Sequence, residues 1–126
     1  MKDLKTTQDI ELLVNAFYEK VKTSEIGFFF NDLAQVNWEK HLPKMYIFWE
    51  SVLFATVKFD GNPMGAHYLI NELAAMEKRH FETWLKLWKQ TIDENFSGEI
   101  AESAKTKAEN IANLMAYKME MARKLS

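Results

Sequence analysis

The apolar positions of this chain recur with a helical period. Ile10, Leu13, Val14, Phe17, Tyr18 and Val21 stand at offsets 0, 3, 4, 7, 8 and 11, the stripe of an amphipathic helix. Thr6, with Asp9 three residues later, supplies a capping box at its start. A turn region runs from Thr23 through Asn31-Asp32 and contains Phe28-Phe29-Phe30. Three adjacent Phe cannot share one helical face, so at least one points away from the common core. The next stripe is His41, Met45, Phe48, Trp49 and Val52, at offsets 0, 4, 7, 8 and 11. Pro43 near its beginning suits a first turn, where a missing N–H costs nothing. Asp60-Gly61-Asn62-Pro63 is turn chemistry that ends this helix. Met64 to Arg79 is poorly patterned and reads as one short helix plus a loop. Phe81, Trp84, Leu85, Trp88 and Ile92 make a third stripe at offsets 0, 3, 4, 7 and 11. After Ser97-Gly98, Ser97 is the expected N-cap of a last helix, with Glu99 placed for the dipole. That helix carries Ile100, Ala104, Ala108, Ile111 and Met115, with Lys118, Arg123 and Lys124 near its C-terminal end. There is no strand alternation, repeat, linker or low-complexity tract. The expectation is one all-α domain over residues 1–126, with four main helices and a loose middle segment.

Composition narrows the function by exclusion. A chain of 126 residues, 48% hydrophobic and 13% aromatic, has material for one well-buried core and is not disordered. Sixteen Lys plus Arg against 18 Asp plus Glu leave a net charge of −2, without the cationic excess that nucleic-acid binding needs. The absence of cysteine removes disulfide frameworks, zinc-thiolate and iron–sulfur sites and thiol nucleophiles. Four Gly and two Pro leave no Gly-rich phosphate loop. Charges inside the first apolar stretch exclude a signal-peptide core. The longest apolar tract, Met45 to Val57, contains Glu50 and Ser51 and is too short to span a bilayer. A soluble, cytoplasmic protein that touches neither membrane nor nucleic acid is expected.

Few residues remain to carry chemistry. The three histidines, His41, His67 and His80, fit no zinc pattern. Glu77-Lys78-Arg79-His80 matches one Glu-x-x-His motif of a di-iron carboxylate bundle, but such a bundle needs two. Tyr18, His41 and Trp84 are polar-tipped residues within otherwise apolar stripes of three different helices. Each alone reads as a core-edge residue that finds a carbonyl or water. Together they read as a polar cluster lining a cavity in an apolar core. His67 stands among small and apolar neighbours, in Pro63-Met64-Gly65-Ala66-His67-Tyr68-Leu69. An imidazole of this kind can be the sole proximal ligand of a haem iron, and the aromatic content suits a large apolar cofactor.

Four segments in order carry a family resemblance: Phe17-Tyr18-Glu19-Lys20-Val21; Trp38-Glu39-Lys40-His41 with Phe48-Trp49 downstream; Gly61-Asn62-Pro63 leading to His67; and His80-Phe81-Glu82-Thr83-Trp84-Leu85-Lys86-Leu87-Trp88. From about Ile10 to about Tyr117 the chain resembles a truncated haemoglobin of group III, in the bacterial globin family. The resemblance implies a truncated globin fold, a two-over-two helical sandwich around haem b. It implies His67 as the proximal iron ligand and Tyr18, His41 and Trp84 as the distal residues that stabilise a ligand. It further implies Lys44 at a haem propionate, Met45, Phe48, Trp49, Phe81 and Leu85 along the pocket, and Phe30 packed on the haem face. Arg79 and His80 lie near the propionate side, where surface solvation is the better expectation for both. The chain departs from the family in having no proline in the segment after His67, so helix extends further there.

The resemblance also implies a function. Five-coordinate ferrous haem binds O₂, CO or NO, and O₂ acquires negative charge that pre-oriented donors stabilise. A hydrogen bond to such an acceptor is worth about 1.5–3 kcal/mol, so two of them slow ligand escape by about two to four decades. That argues for redox chemistry on the ligand (NO dioxygenation, nitrite reduction or peroxide turnover, with an electron-donating reductase) over bulk O₂ transport, in a monomer. His41 has three readings: ligand donor, gate, or second axial ligand. The rivals are a haem-free helical interaction module, with Trp84 and Trp88 on a partner face, and a gas sensor, for whose output domain the chain has no room.

Overall fold

The structure, a computed structural model, describes residues 1–55 and 59–125; the end of the Met45–Val57 tract lies outside them. Five α-helices follow one another: α1 (Thr7–Lys22), α2 (Trp38–Leu53), α3 (Pro63–Leu73), α4 (Lys78–Asn95) and α5 (Glu99–Leu125). A π-helical turn, Phe29–Leu33, lies between α1 and α2. Helix α1 packs on α2 and α4 packs on α5, with α1 also against α4. This is the expected two-over-two all-α arrangement, with α3 resting on α5. The loose middle segment is, as expected, one short helix, α3, which ends at Leu73 and is followed by a loop into α4. Among the described residues no helix is long and apolar enough to cross a membrane.

The helix starts show why these segments fold as they do. Thr6 and Asp9 form the expected capping box, and Asp9 also accepts from Lys5 N–H and pairs with Lys2 Nζ at 2.7 Å. The Lys2 ammonium beside Asp9, with the two backbone donors, outweighs burial and holds its carboxyl down to about 2. Helix α2 starts three residues earlier than its apolar stripe, because Asn37 caps it by accepting from Glu39 N–H at 3.1 Å. Pro43 therefore lies inside the helix and not in its first turn. It leaves the Glu39 carbonyl without its helical donor, which exposure at Pro43 lets water replace.

Helix α5 overturns the expected Ser97 cap. Its first N–H groups are taken from the other end of the chain, where Asp3 accepts from Ile100 N–H at 3.0 Å and Ala101 N–H at 2.8 Å. The backbone enters through Gly98 at φ +141°, and a Cβ there would stand 2.5 Å from Asp3 Cγ. A distant carboxylate occupies the position that a local hydroxyl would take.

The apolar core lies among α1, α4 and α5. Ile10, Leu13, Val14, Phe17 and Val21 meet Trp88 and Ile92 and the alanines 101, 104 and 108, all fully or almost fully buried. By contrast α2 buries only Trp49 and α3 only Asn71. Their apolar residues Leu42, Met45, Phe48, Val52, Met64, Tyr68 and Ile70 stay half-buried against the core edge.

Candidate functional site

The first cluster of the site is a set of four rings from three elements. Tyr18 comes from the inner face of α1, Phe30 from the π turn, and Trp38 and His41 from one side of the first turns of α2. Tyr18 meets Phe30 at 5.8 Å, Trp38 at 5.4 Å and His41 at 5.5 Å between centroids. Phe30 stacks on Trp38 at 5.9 Å. The Phe triplet divides as its spacing requires: Phe29 is buried, Phe30 enters this cluster and Phe28 faces solvent. The sequence pattern assigns Trp38 no site role. The signal was its place three residues before His41, which puts both on one helical face.

Two polar tips in this region are left open. His41 Nε2 is fully buried and has no hydrogen-bond partner, an expensive state for a polar atom unless something else occupies it. No hydrogen bond among the described residues engages the Tyr18 hydroxyl, which burial holds well above the usual phenol range and so keeps protonated. Burial, the exposed Lys44 ammonium and His67 all push His41 toward its neutral form. His41 stands on α2 and His67 on α3.

His67 is placed by the start of α3. Asn62 caps the helix by accepting from Gly65 N–H at 3.1 Å, and Pro63 occupies its first position. His67 then reaches back one turn, and its Nδ1–H donates to the Pro63 carbonyl at 2.6 Å. A carbonyl only accepts, so the proton is on Nδ1 and Nε2 keeps its lone pair. Burial keeps the ring neutral against the opposing pull of that bond. The Phe81 ring lies nearly parallel to it at 6.4 Å.

The remaining predicted residues divide by depth. Met45 and Phe48 are half-buried against the core, and the Phe48 ring meets Trp49 edge-on at 5.3 Å. Trp49 lies deeper, 1% exposed, in a tryptophan stack with Trp88 at 4.2 Å and Trp84 at 6.4 Å. Phe17 meets Trp84 and Trp88 edge-on at 5.8 and 5.0 Å, and so connects this stack to Tyr18 at 4.9 Å. Leu85 is half-buried and borders a shallow groove with Glu82, Lys86 and Lys89. Arg79 is exposed as expected and pairs with Glu77 and Glu25. His80 is not solvated: it is buried, its ring edge-on to Phe29, and its Nδ1 accepts from Glu77 N–H at 2.9 Å. The Glu-x-x-His match is thus used as a helix start.

These residues fit a haem. A neutral imidazole presents a free Nε2, a second buried imidazole nitrogen lacks a partner, and half-buried apolar faces of α2 and α3 border both. An all-α two-over-two fold with such a pair of histidines defines a globin of the shortened kind. The bacterial-like globin family matches residues 3–121. The chain is 28% identical over 110 residues to the group 3 truncated hemoglobin ctb of Campylobacter jejuni, covering 84% of each. The crystal structure of a group III truncated hemoglobin from Campylobacter jejuni is similar with a TM-score of 0.80 at 26% identity, over 94% of this chain and 95% of that one. The chain belongs to the bacterial-like globin family, and is similar to group III truncated haemoglobins within it. Haem binding and the capture of small diatomic ligands come with that family.

Proposed function

We propose that the cofactor is haem b, held through His67 Nε2, and that Tyr18, His41 and Trp84 stabilise a ligand on the opposite side. The observation that carries this reading is the buried, unpartnered Nε2 of His41, together with a histidine, His67, whose other nitrogen is already committed to Pro63. Bound haem supplies an iron with one open coordination position for a diatomic ligand. The Pro63 bond fixes the His67 tautomer and ring, as a hydrogen bond on the far nitrogen does for a metal-bound imidazole. Tyr18 donates its O–H to the ligand and Trp84 its N–H, and the buried, open Nε2 of His41 adds a third polar group. Lys44, exposed one turn past His41, meets a propionate, and Phe30, Met45, Phe48, Trp49, Phe81 and Leu85 give the apolar surround. Donors aimed at developing negative charge favour redox chemistry on the ligand, such as NO dioxygenation, nitrite reduction or peroxide turnover, over bulk transport. Such turnover requires an electron-donating reductase, and the globin acts as a monomer.

Full burial of Trp88, whose N–H donates to the Ala104 carbonyl at 3.2 Å, argues against the tryptophans as a partner-binding face. The test is the absorption spectrum after haem reconstitution of the wild-type and His67→Ala proteins. One equivalent of haem, ferrous CO binding, and axial ligation lost in the variant are expected. No stoichiometric uptake, or identical spectra, would refute the assignment and turn the search to protein partners.

A further inference from the structure

Helix α3 carries His67, and its apolar hold on the molecule is limited to the half-buried Met64, Tyr68 and Ile70. Asn71 is its one buried residue, while Leu69 and Leu73 are 66% and 69% exposed. An 11-residue helix does not stand on propensity alone, and the tie that holds its far end is polar. Asn71 Nδ2 donates to the Met119 carbonyl at 3.0 Å, and Asn71 Oδ1 accepts from Met76 N–H and from Arg123 Nη1, each at 2.9 Å. Arg123 Nη1 also donates to the Met76 carbonyl at 2.7 Å. Three pieces of chain thus meet at one buried amide: the end of α3, the loop into α4, and the last turns of α5.

Asn71 is one helical turn beyond His67, displaced from it by only about 40° around the axis. Any roll of α3 that moves His67 Nε2 also pulls Asn71 out of this node. At the other end the Pro63 carbonyl fixes the ring itself. We propose that Asn71 and Arg123 are positioning residues for His67, so that the C-terminal turns of α5 set the orientation of its imidazole. The inference rests on His67 being the axial ligand of the haem. A charge-assisted bond to a buried amide is among the stronger single ties available for this purpose, and losing one partner leaves the other buried and unsatisfied.

The experiment uses the full chain loaded with haem, ferrous and ligand-free, and reads the iron–imidazole stretching band by resonance Raman. Arg123→Met keeps the side chain's apolar stem and deletes the guanidinium; Arg123→Lys restores a cation; Asn71→Asp keeps the acceptors and deletes the donor to Met119. The expected result is a band that moves and broadens in Arg123→Met and Asn71→Asp and returns toward its wild-type position in Arg123→Lys. The C–O stretching band of the CO form, which reports the Tyr18 side, stays in place. Should Arg123→Met not fold, Asn71→Asp carries the same reading. Lower melting temperatures with an unmoved iron–imidazole band would overturn the proposal by making the node structural only. A wild-type protein without the band, or a His67→Gly protein that keeps it, would instead overturn the axial assignment and the inference with it.

Discussion

Replacing Tyr18 by Phe removes one oxygen and nothing else from the proposed distal wall. The ring keeps its contacts with Phe17, Phe30, Trp38 and His41, so packing is preserved. Two quantities should then move independently. If the hydroxyl donates to a negatively charged ligand, its loss removes about 1.5–3 kcal/mol, which at 1.4 kcal/mol per decade raises the O₂ dissociation rate about one to two decades. Folding stability of the haem-free protein should not fall. Tyr18 is 5% exposed and no hydrogen bond among the described residues engages its hydroxyl, so the substitution breaks no internal bond. A hydroxyl serving the fold would show the opposite signature, a loss of about 0.5–1.5 kcal/mol in stability and no change in ligand kinetics. Stopped-flow displacement of O₂ by CO measures the first quantity, and urea unfolding of the haem-free protein the second. A dissociation rate raised less than about tenfold would refute Tyr18 as the principal donor.

Three further outcomes are expected. Asp3→Ala should cost about 1–2 kcal/mol, seen as a lower urea midpoint at unchanged slope, because Leu4, Ile100 and Ala101 N–H all lose their acceptor. Trp88→Ala should cost about 3–5 kcal/mol in thermal unfolding, since it opens the fully buried stack on Trp49 and breaks the bond to Ala104. Burial depresses His41, His67 and His80 alike, so below pH about 6.5 the unfolded chain takes up protons that the folded one refuses. Stability of the haem-free protein should therefore be full above that value and fall as pH drops through it, with a shallower fall in His80→Gln; a pH-independent urea midpoint between pH 7.5 and 5.5 would contradict this.

The helices of the core were legible because their pattern is local. The stripe from Ile10 to Val21 and that from Phe81 to Ile92 each present one apolar face, and the structure buries those faces. Of the three polar tips read from such stripes, the structure brings Tyr18 and His41 together and sets Trp84 with Trp49 and Trp88 instead. What escaped the sequence are interactions between distant segments. Nothing near Ser97 indicates that Asp3 will reach over to cap α5, and nothing around Asn71 indicates a partner 52 residues later at Arg123. His80 was misread because Lys78, Arg79 and Glu82 around it suggest a solvated turn, whereas the backbone of Glu77 and the face of Phe29 take its ring.

The distribution of burial gives these two kinds of signal one meaning. Helices α1, α4 and α5 bury most of their apolar stripes against one another, with Trp49 of α2 as the one side chain that α2 adds to that core. Helices α2 and α3 carry comparable apolar faces but bury one residue each, and both histidines of the site stand on them. At about 25 cal/mol per Å² of apolar surface, a flat apolar cofactor covering those faces would add stability to the two helices that lack it. It follows that α2 and α3 should gain most on haem binding. Amide exchange in α1, α4 and α5 should change little between the haem-free and loaded protein, and exchange in Trp38–Leu53 and Pro63–Leu73 should slow markedly. Uniform slowing across all five helices would show that the haem stabilises the fold as a whole and that this division of the core is wrong.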